Sequence, residues 1–498
     1  MNMQKMCLFF MSIISLFPCA MGLYADGKQP DEMPSMLSEQ TQVCLMCHKM
    51  VTPGIVEDWL TSRHSKITPA MSFAKPIQER RLSSDTIPDT MKPFVVGCFE
   101  CHGQNPSLHQ DNFNHFGFKI NVVVSPNDCK TCHAVEVEEY SGSKKANALV
   151  NIQKNPLYHT FVDALTGLKT LKDNEIMYCK ASDTAKAETC YACHGTEVTV
   201  KGLKKISTNF GEIEVPDLTN WPNQGVGRIN PDGSHGACTS CHPRHGFSIE
   251  IARKPYTCSQ CHLEPDVPSF EVYSESKHGN IFCSTEHLWN WSNVPWIIGK
   301  DFKAPTCATC HNSLIATSDG KTIVPRTHDF GARLWVRLFG LIYSHPQPKS
   351  GKTYEMINSE NMPLPTSFTG EPASEYLIDE KEQLQRQIEM KKVCQGCHGT
   401  NWSNAFFSKL EAVIDETDAM VQEATKLVQK AWDEDLADPA NPFDEMIEHL
   451  WIKQWFFYAN SIRYAAAMSG PDYATFKNGW MQSILNLHEM LDMTKEKE

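Results

Sequence analysis

One short pattern constrains this chain more than any other: Cys-x-x-Cys-His, repeated eight times. It stands at Cys44-Cys47-His48, Cys98-Cys101-His102, Cys129-Cys132-His133 and Cys190-Cys193-His194. It recurs at Cys238-Cys241-His242, Cys258-Cys261-His262, Cys307-Cys310-His311 and Cys394-Cys397-His398. With 20 Cys and 20 His in 498 residues, random placement would give about 0.03 such motifs. The spacing has a chemical reason. Two thiols three positions apart can form thioethers to the two vinyl groups of one heme, and the next residue brings an imidazole under the iron. Zinc knuckles also use Cys-x-x-Cys, but they pair the units into four-ligand sets and need no His after each pair. Disulfides would use the cysteines and leave the histidines unexplained. The pattern predicts eight covalently attached c-type hemes (iron) with the eight motif histidines as proximal ligands.

Twelve histidines lie outside the motifs: His64, His109, His115, His159, His235, His245, His278, His287, His328, His345, His449 and His488. That is enough to give every iron a second imidazole, so the count alone leaves open a non-enzymatic electron carrier with all irons saturated. Four cysteines also remain. Cys7 and Cys19 fall near the N-terminus, and Cys179 and Cys283 are expected as buried thiols.

The net charge of −13 argues against a nucleic-acid partner, since phosphate binding needs clustered Lys and Arg. Residues 1–25 carry one charge, Lys5, followed by an apolar-plus-Ser run from Cys7 to Phe17. This reads as an export signal cut after Ala25, too short for the roughly 20 apolar residues of a spanning helix. Cys19 keeps a lipoprotein anchor open. The expected location is the periplasm.

The motifs follow no fixed period, which excludes a solenoid. The fold expected is mainly α: a heme-rich body over 26–370 with seven motifs and little regular sheet, then a long-helix region over 371–498 with the eighth. Strand-like runs occur at Lys119–Val124 and Gly211–Val215. In the tail, Ser403 or Asn401 can cap a helix with apolar positions Phe406, Leu410, Val413, Met420, Ala424, Leu427, Val428 and Ala431. Pro439 and Pro442 break it. A second helix runs through Ile447, Trp451, Trp455, Tyr458, Ile462 and Ala466 to Gly470-Pro471, its tryptophans expected to serve packing. A third ends the chain.

Eight motifs followed by a helical tail resemble the octaheme hydroxylamine oxidoreductase family of multiheme cytochromes c. The resemblance covers essentially the whole chain beyond the signal segment. It also rests on Cys241-His242-Pro243-Arg244-His245-Gly246-Phe247-Ser248, on Ser276-Lys277-His278-Gly279, on Thr327-His328-Asp329, and on Gly470-Pro471 followed by Gly479-Trp480. In that family seven hemes are bis-histidine, and the heme of the fourth motif keeps an open iron where nitrogen compounds react. The resemblance therefore implies a catalytic heme on Cys190 and Cys193 with His194 proximal. It implies distal ligands at His64, His115, His159, His245, His278 and His328, with His109 or His345 as the seventh. It further implies a homotrimer formed through the tail, and a redox partner cytochrome or quinol-linked electron donor.

Two departures from the family bear on direction. Oxidising members carry an Asp-His pair after the sixth motif; here the segment reads Leu263-Glu264-Pro265-Asp266-Val267, which retains Asp266 as a proton relay and lacks the His. They also carry a tyrosine, donated by a neighbouring subunit, that cross-links to the catalytic heme. Alignment on Gly479-Trp480 puts Phe476 there, with Tyr473 and Tyr464 nearby. Without the cross-link the heme should be easier to reduce. These departures point to a reductive branch taking nitrite or hydroxylamine toward ammonium, with oxidation of hydroxylamine or hydrazine as the alternative.

Overall fold

The computed structural model describes residues 33–173, 175–208 and 210–495. The expected export segment at 1–25, with Cys7 and Cys19, lies outside them. The architecture is mainly α, as the motif density and tail periodicity lead one to expect. In the body the helices are short, and several are single turns built on a motif. Cys98–His102, Cys190–His194 and Cys307–His311 are five-residue helices, while Pro126–Cys129 and Pro255–Cys258 end on a motif's first cysteine. A helical turn suits the pattern because positions i, i+3 and i+4 share one face, so both thiols and the imidazole point the same way. The starts are pinned locally. Pro126 and Pro255 occupy first-turn positions, where a missing N–H costs nothing, and Ser125 caps the first of these helices. Glu100 reaches back to the Gly97 N–H at 3.0 Å and accepts from Thr41 at 2.7 Å, tying the second motif to the helix Glu39–Val51 that carries the first.

Sheet is confined to small units. The longest is an antiparallel hairpin, Thr199–Thr208 with Gly211–Thr219, paired from Thr199 opposite Thr219 to Thr208 opposite Gly211 with a register shift between Val200 and Leu203. The strand-like run at Gly211–Val215 forms its second arm, and Lys119–Ile120 of the other run pairs with Asn114 and Phe113. The first arm is largely exposed.

The tail forms a helix Glu380–Gln395, a 34-residue helix Thr400–Asp433, and a final helix Trp480–Met493. Gly399, not Ser403 or Asn401, precedes the long helix, which starts directly after the eighth motif. Its buried residues are Ser403, Phe407, Leu410, Ile414, Thr417, Val421, Ala424, Thr425, Val428 and Ala431. Thr425 apart, steps of four and three alternate, the heptad spacing of a straight packing seam. Three of the expected core positions are thereby displaced by one residue: Phe407, Ile414 and Val421 face inward in place of Phe406, Val413 and Met420. The second tail helix is continuous from Met446 to Met468 but widens to a π-helix over Lys453–Tyr458. Trp451 and Trp455 are packing residues, buried in the core shared with Val421, Ala424 and Val428.

Arg463, fully buried, locks this tail to the body. It pairs with Asp418 of the long helix and donates to the Leu338 carbonyl at 3.0 Å. Asp418 in turn accepts from the Ser344 N–H at 3.2 Å. Both contacts fix the small ladder in which Val336–Arg337 pairs with His345–Pro346. Cys179 and Cys283 are exposed rather than buried. Cys179 follows the solvent-facing hairpin Lys169–Lys172/Glu175–Tyr178, and Cys283 lies on the outer face of Lys277–Thr285, whose inner face is Gly279 and Phe282. Among the described residues no helix is long and apolar enough to cross a membrane.

Candidate heme centres and catalytic pocket

A heme ligand needs its lone pair free and its ring orientation fixed. A hydrogen bond at Nδ1 supplies both, leaving Nε2 for the metal. His48 Nδ1 is 2.9 Å from Thr52 Oγ1, His102 Nδ1 is 2.8 Å from the Asn121 carbonyl, and His311 Nδ1 is 3.3 Å from the Phe330 carbonyl. His194 is held in the same manner by the backbone of Ala148, and His242 by that of Ser248. Burial pushes His194, His242 and His311 down to about 4 and His262 to about 3, so these imidazoles stay neutral, as metal ligation requires.

The distal side can be checked by distance. An imidazole nitrogen bonds a first-row metal at about 2 Å, so two rings trans on one iron have centroids roughly 6.3 Å apart. His48 and His115 are separated by 6.3 Å, His64 and His133 by 6.3 Å, and His278 and His398 by 6.1 Å. His245 lies within electrostatic reach of His102, and His328 within reach of His242 and His133, which disfavour its charged form. His245 sits at φ 65°, left-handed backbone that is costly for a residue with a Cβ and is the kind of strain found at ligand-holding positions. His328 Nδ1 is buried without a partner. The residues present fit covalently held hemes.

Other histidines stand apart. His109 is tied at both ring nitrogens, Nδ1 to Asp111 at 3.1 Å and Nε2 to Asp128 at 3.1 Å. His345 is buried, with Nδ1 2.7 Å from the Pro346 carbonyl, and its surroundings are the cations Arg337, Lys144 and Arg463. His159 is partly exposed beside Asp163 at 3.8 Å.

Contacts among the thiols arrange the motifs in space. Cys44 lies beside Cys98, Cys129 beside Cys238, Cys193 beside Cys261, and Cys258 beside Cys307. Cys101 feels Cys132, Cys241 feels Cys258, and Cys310 feels Cys394. The motifs therefore run in the order first, second, third, fifth, sixth, seventh, eighth, and the fourth branches from the sixth.

The fourth motif is locked from behind. Gly227 N–H donates to the His194 carbonyl at 3.0 Å and Val226 N–H to the Cys193 carbonyl at 2.9 Å. The approach is so close that a Cβ on Gly227 would lie 2.6 Å from the His194 oxygen, and Gly195 has φ 105°. Asp266 is near enough to Cys190 and Cys193 to raise both thiols, and burial raises the Asp266 carboxyl itself. Tyr464, pushed up to about 12 by burial, lies within reach of Ser269, Asp266 and Arg337. Arg337 acts on both His194 and His345. Its guanidinium lies 5.8 Å from the Phe339 ring, and among the described residues no carboxylate pairs with it. Among the described residues no second imidazole stands opposite His194 at the spacing of the three ring pairs above. Lys145 also acts on His194; Arg337, Tyr464 and Lys145 carry no spacing signature, which is why the motifs did not reveal them as part of this region.

Tyr473, one alternative to Phe476, donates to Glu264 of its own chain at 3.1 Å, whereas Phe476 is 60% exposed.

A family model for cytochromes with seven multi-haem CxxCH motifs matches residues 230–323, and one for cytochrome c554 and c-prime matches 128–215. A solved structure described as a hypothetical multiheme protein is 43% identical, with a TM-score of 0.87 over 92% of this chain and 96% of that one. A probable nitrite reductase-hydroxylamine oxidoreductase fusion protein of Kuenenia stuttgartiensis is 26% identical over 364 residues. That match takes in 64% of this chain and 39% of the relative, so the chain spans well under half of that protein's length. A reducing HAO-like protein complex of Kuenenia stuttgartiensis shares the fold, with 17% identity and a TM-score of 0.58 over 92% of this chain and 85% of that one.

Proposed function

Since this chain belongs with the multiheme proteins, we propose that it is a periplasmic octaheme enzyme of the hydroxylamine oxidoreductase type, reducing nitrite, hydroxylamine or both to ammonium at an iron held by His194. The carrying observation is the contrast between motifs. Five motif histidines have a histidine from outside the motifs facing them or within reach, whereas His194 has Arg337 and Lys145 within reach, with Asp266 beside its motif cysteines and Tyr464 near Asp266 and Arg337. In this reading His115, His245, His64, His328 and His278 are the distal ligands of the first, second, third, fifth and eighth hemes, and His159 serves one of the remaining two.

When bound, the heme supplies electrons and the metal position at which N–O bonds break. The chain's own residues do the rest. Ala148 fixes the His194 ring. Arg337, without a carboxylate partner among the described residues, offers a charge-assisted donor to an anion, which suits nitrite better than uncharged hydroxylamine or hydrazine. Asp266, raised by burial, holds a proton at its carboxyl oxygen closer to neutral pH than an ordinary aspartate and delivers it as the bond breaks. Phe476 brings no phenolic oxygen, and Tyr473 is engaged within its own chain, which supports an unmodified, reducible heme. Met481, Ile484, Leu485 and Leu491 expose an apolar stripe on the final helix, which fits assembly into a homotrimer. Electrons would be supplied by a partner cytochrome or quinol-linked donor, with the other motifs holding the hemes that would pass them on.

The deciding assay is steady-state turnover of nitrite and hydroxylamine with reduced viologen, and of hydroxylamine and hydrazine with an oxidised acceptor. Nitrite reduction should be the faster. Faster hydroxylamine oxidation overturns the direction, and eight low-spin hemes with no turnover leave only a carrier.

A further inference from the structure

The sixth motif's histidine faces a lysine. Lys145 Nζ lies 3.4 Å from His262 Nε2, the ring atom that a heme iron would take. Two nitrogens trans on one metal stand roughly 4 Å apart when each bond is near 2 Å. The pair is thus about 0.6 Å short of the axial separation, a gap that a small rotation of the four-carbon lysine stem closes.

We infer that Lys145 is the distal axial ligand of the heme on Cys258 and Cys261, giving that iron a histidine–lysine pair. This inference rests on the octaheme reading above and assigns a ligand that reading leaves open. The two histidines expected to fill the seventh position are otherwise engaged or placed. His109 spends both ring nitrogens on carboxylates. His345 lies among Arg337, Lys144 and Arg463 rather than against a motif imidazole.

Lys145 is also positioned, not merely near. It lies on the turn leading into Ala148–Lys154, where its carbonyl accepts from the Ala148 N–H at 3.1 Å. Ala148 is the same residue that orients His194. Its ammonium sits 4.8 Å from the Phe330 ring, and Phe330's carbonyl holds His311. Among the described residues it has no carboxylate partner, so no ion pair competes for the nitrogen. Ligation balances simply. An N–H bond at Nζ gives way to an Nζ–iron bond, the proton leaves to solvent, and no electron changes hands. Because the fourth motif contacts the rest of the array through the sixth, a ligand that differs from the other six distal histidines would sit on the heme that feeds the catalytic iron.

The test compares wild-type holoprotein with Lys145→Ala, Lys145→Arg and Lys145→His. Denaturing mass spectrometry first counts hemes, so loss of cofactor is separated from loss of a ligand. Near-infrared magnetic circular dichroism and electron paramagnetic resonance then read the ligand field of each low-spin ferric heme. Wild type should show one histidine–lysine heme. The Ala and Arg variants should retain eight hemes and lose that signature, with one additional heme equivalent turning high-spin. Lys145→His should convert it to bis-histidine. Arginine keeps the charge and cannot coordinate, so an unchanged spectrum in Lys145→Arg would reduce Lys145 to a counter-charge and overturn the inference. A wild type in which every low-spin heme is bis-histidine overturns it as well, while leaving nitrite turnover as the separate test of the octaheme reading.

Discussion

Replacing His109 by Gln should remove a pH-dependent part of this protein's stability. The imidazole is fully enclosed between two carboxylates, Asp111 and Asp128, which are themselves held by the Val122, Val123 and Ser125 N–H groups. Burial alone would lower its pKa, but the hydrogen bonds and charges of the two aspartates carry it up to about 10. One pKa unit corresponds to about 1.4 kcal/mol, so a rise from 6.5 toward 10 is worth of order 3–5 kcal/mol to the folded state. The folded value lies above the unfolded one. The stabilisation is therefore complete below about pH 6.5, shrinks as pH rises, and is gone above about pH 10. Denaturant unfolding of wild type and His109→Gln, followed by the tryptophan fluorescence released from heme quenching, should show a gap in midpoint that is widest near pH 6 and narrows steadily toward pH 10. A gap of constant size across that range would refute a charged His109, and a gap that widens with pH would reverse the reasoning.

Arg463→Met leaves Asp418 unpaired beside the long helix and should destabilise the holoprotein by about 3–5 kcal/mol, seen as a lower unfolding midpoint. Arg337→Gln should raise the KM for nitrite by about 10- to 100-fold, the worth of one charge-assisted hydrogen bond, while changing the KM for hydroxylamine much less. Steady-state kinetics on both substrates checks this. Ile484→Asp combined with Leu485→Lys places charge on the exposed apolar stripe and should shift the protein to monomers in light scattering, with heme content unchanged.

Much of the heme scaffold is legible in the sequence because thioether attachment demands a local spacing. Distal ligation has no such rule. His115 meets His48, and His64 meets His133, across 67 and 69 residues of chain, so counting histidines could give a total but not the pairs. The tail helices are legible from their period, yet the seam runs one residue aside of the expected stripe at Phe407, Ile414 and Val421, because several adjacent apolar residues fit either phase. The first arm of the hairpin, Thr199–Thr208, is rich in Lys and Thr and buries little, so no apolar alternation announced it. The π segment at Lys453–Tyr458 leaves the aromatic run unchanged and adds only a local widening of the turn. Arg337, Lys145 and Tyr464 act through placement alone.

The side branch at the fourth motif has an operational meaning. Under the function proposed above, charge travelling between the two extremities of the array would not need to visit the fourth motif, a cul-de-sac off the thoroughfare. The seven remaining cofactors of that reading would fill and hold reducing equivalents like a charged reservoir while no substrate is present. An arriving oxyanion would then meet a store able to discharge in quick succession, which favours carrying the nitrogen through to its fully reduced state over releasing it half-way.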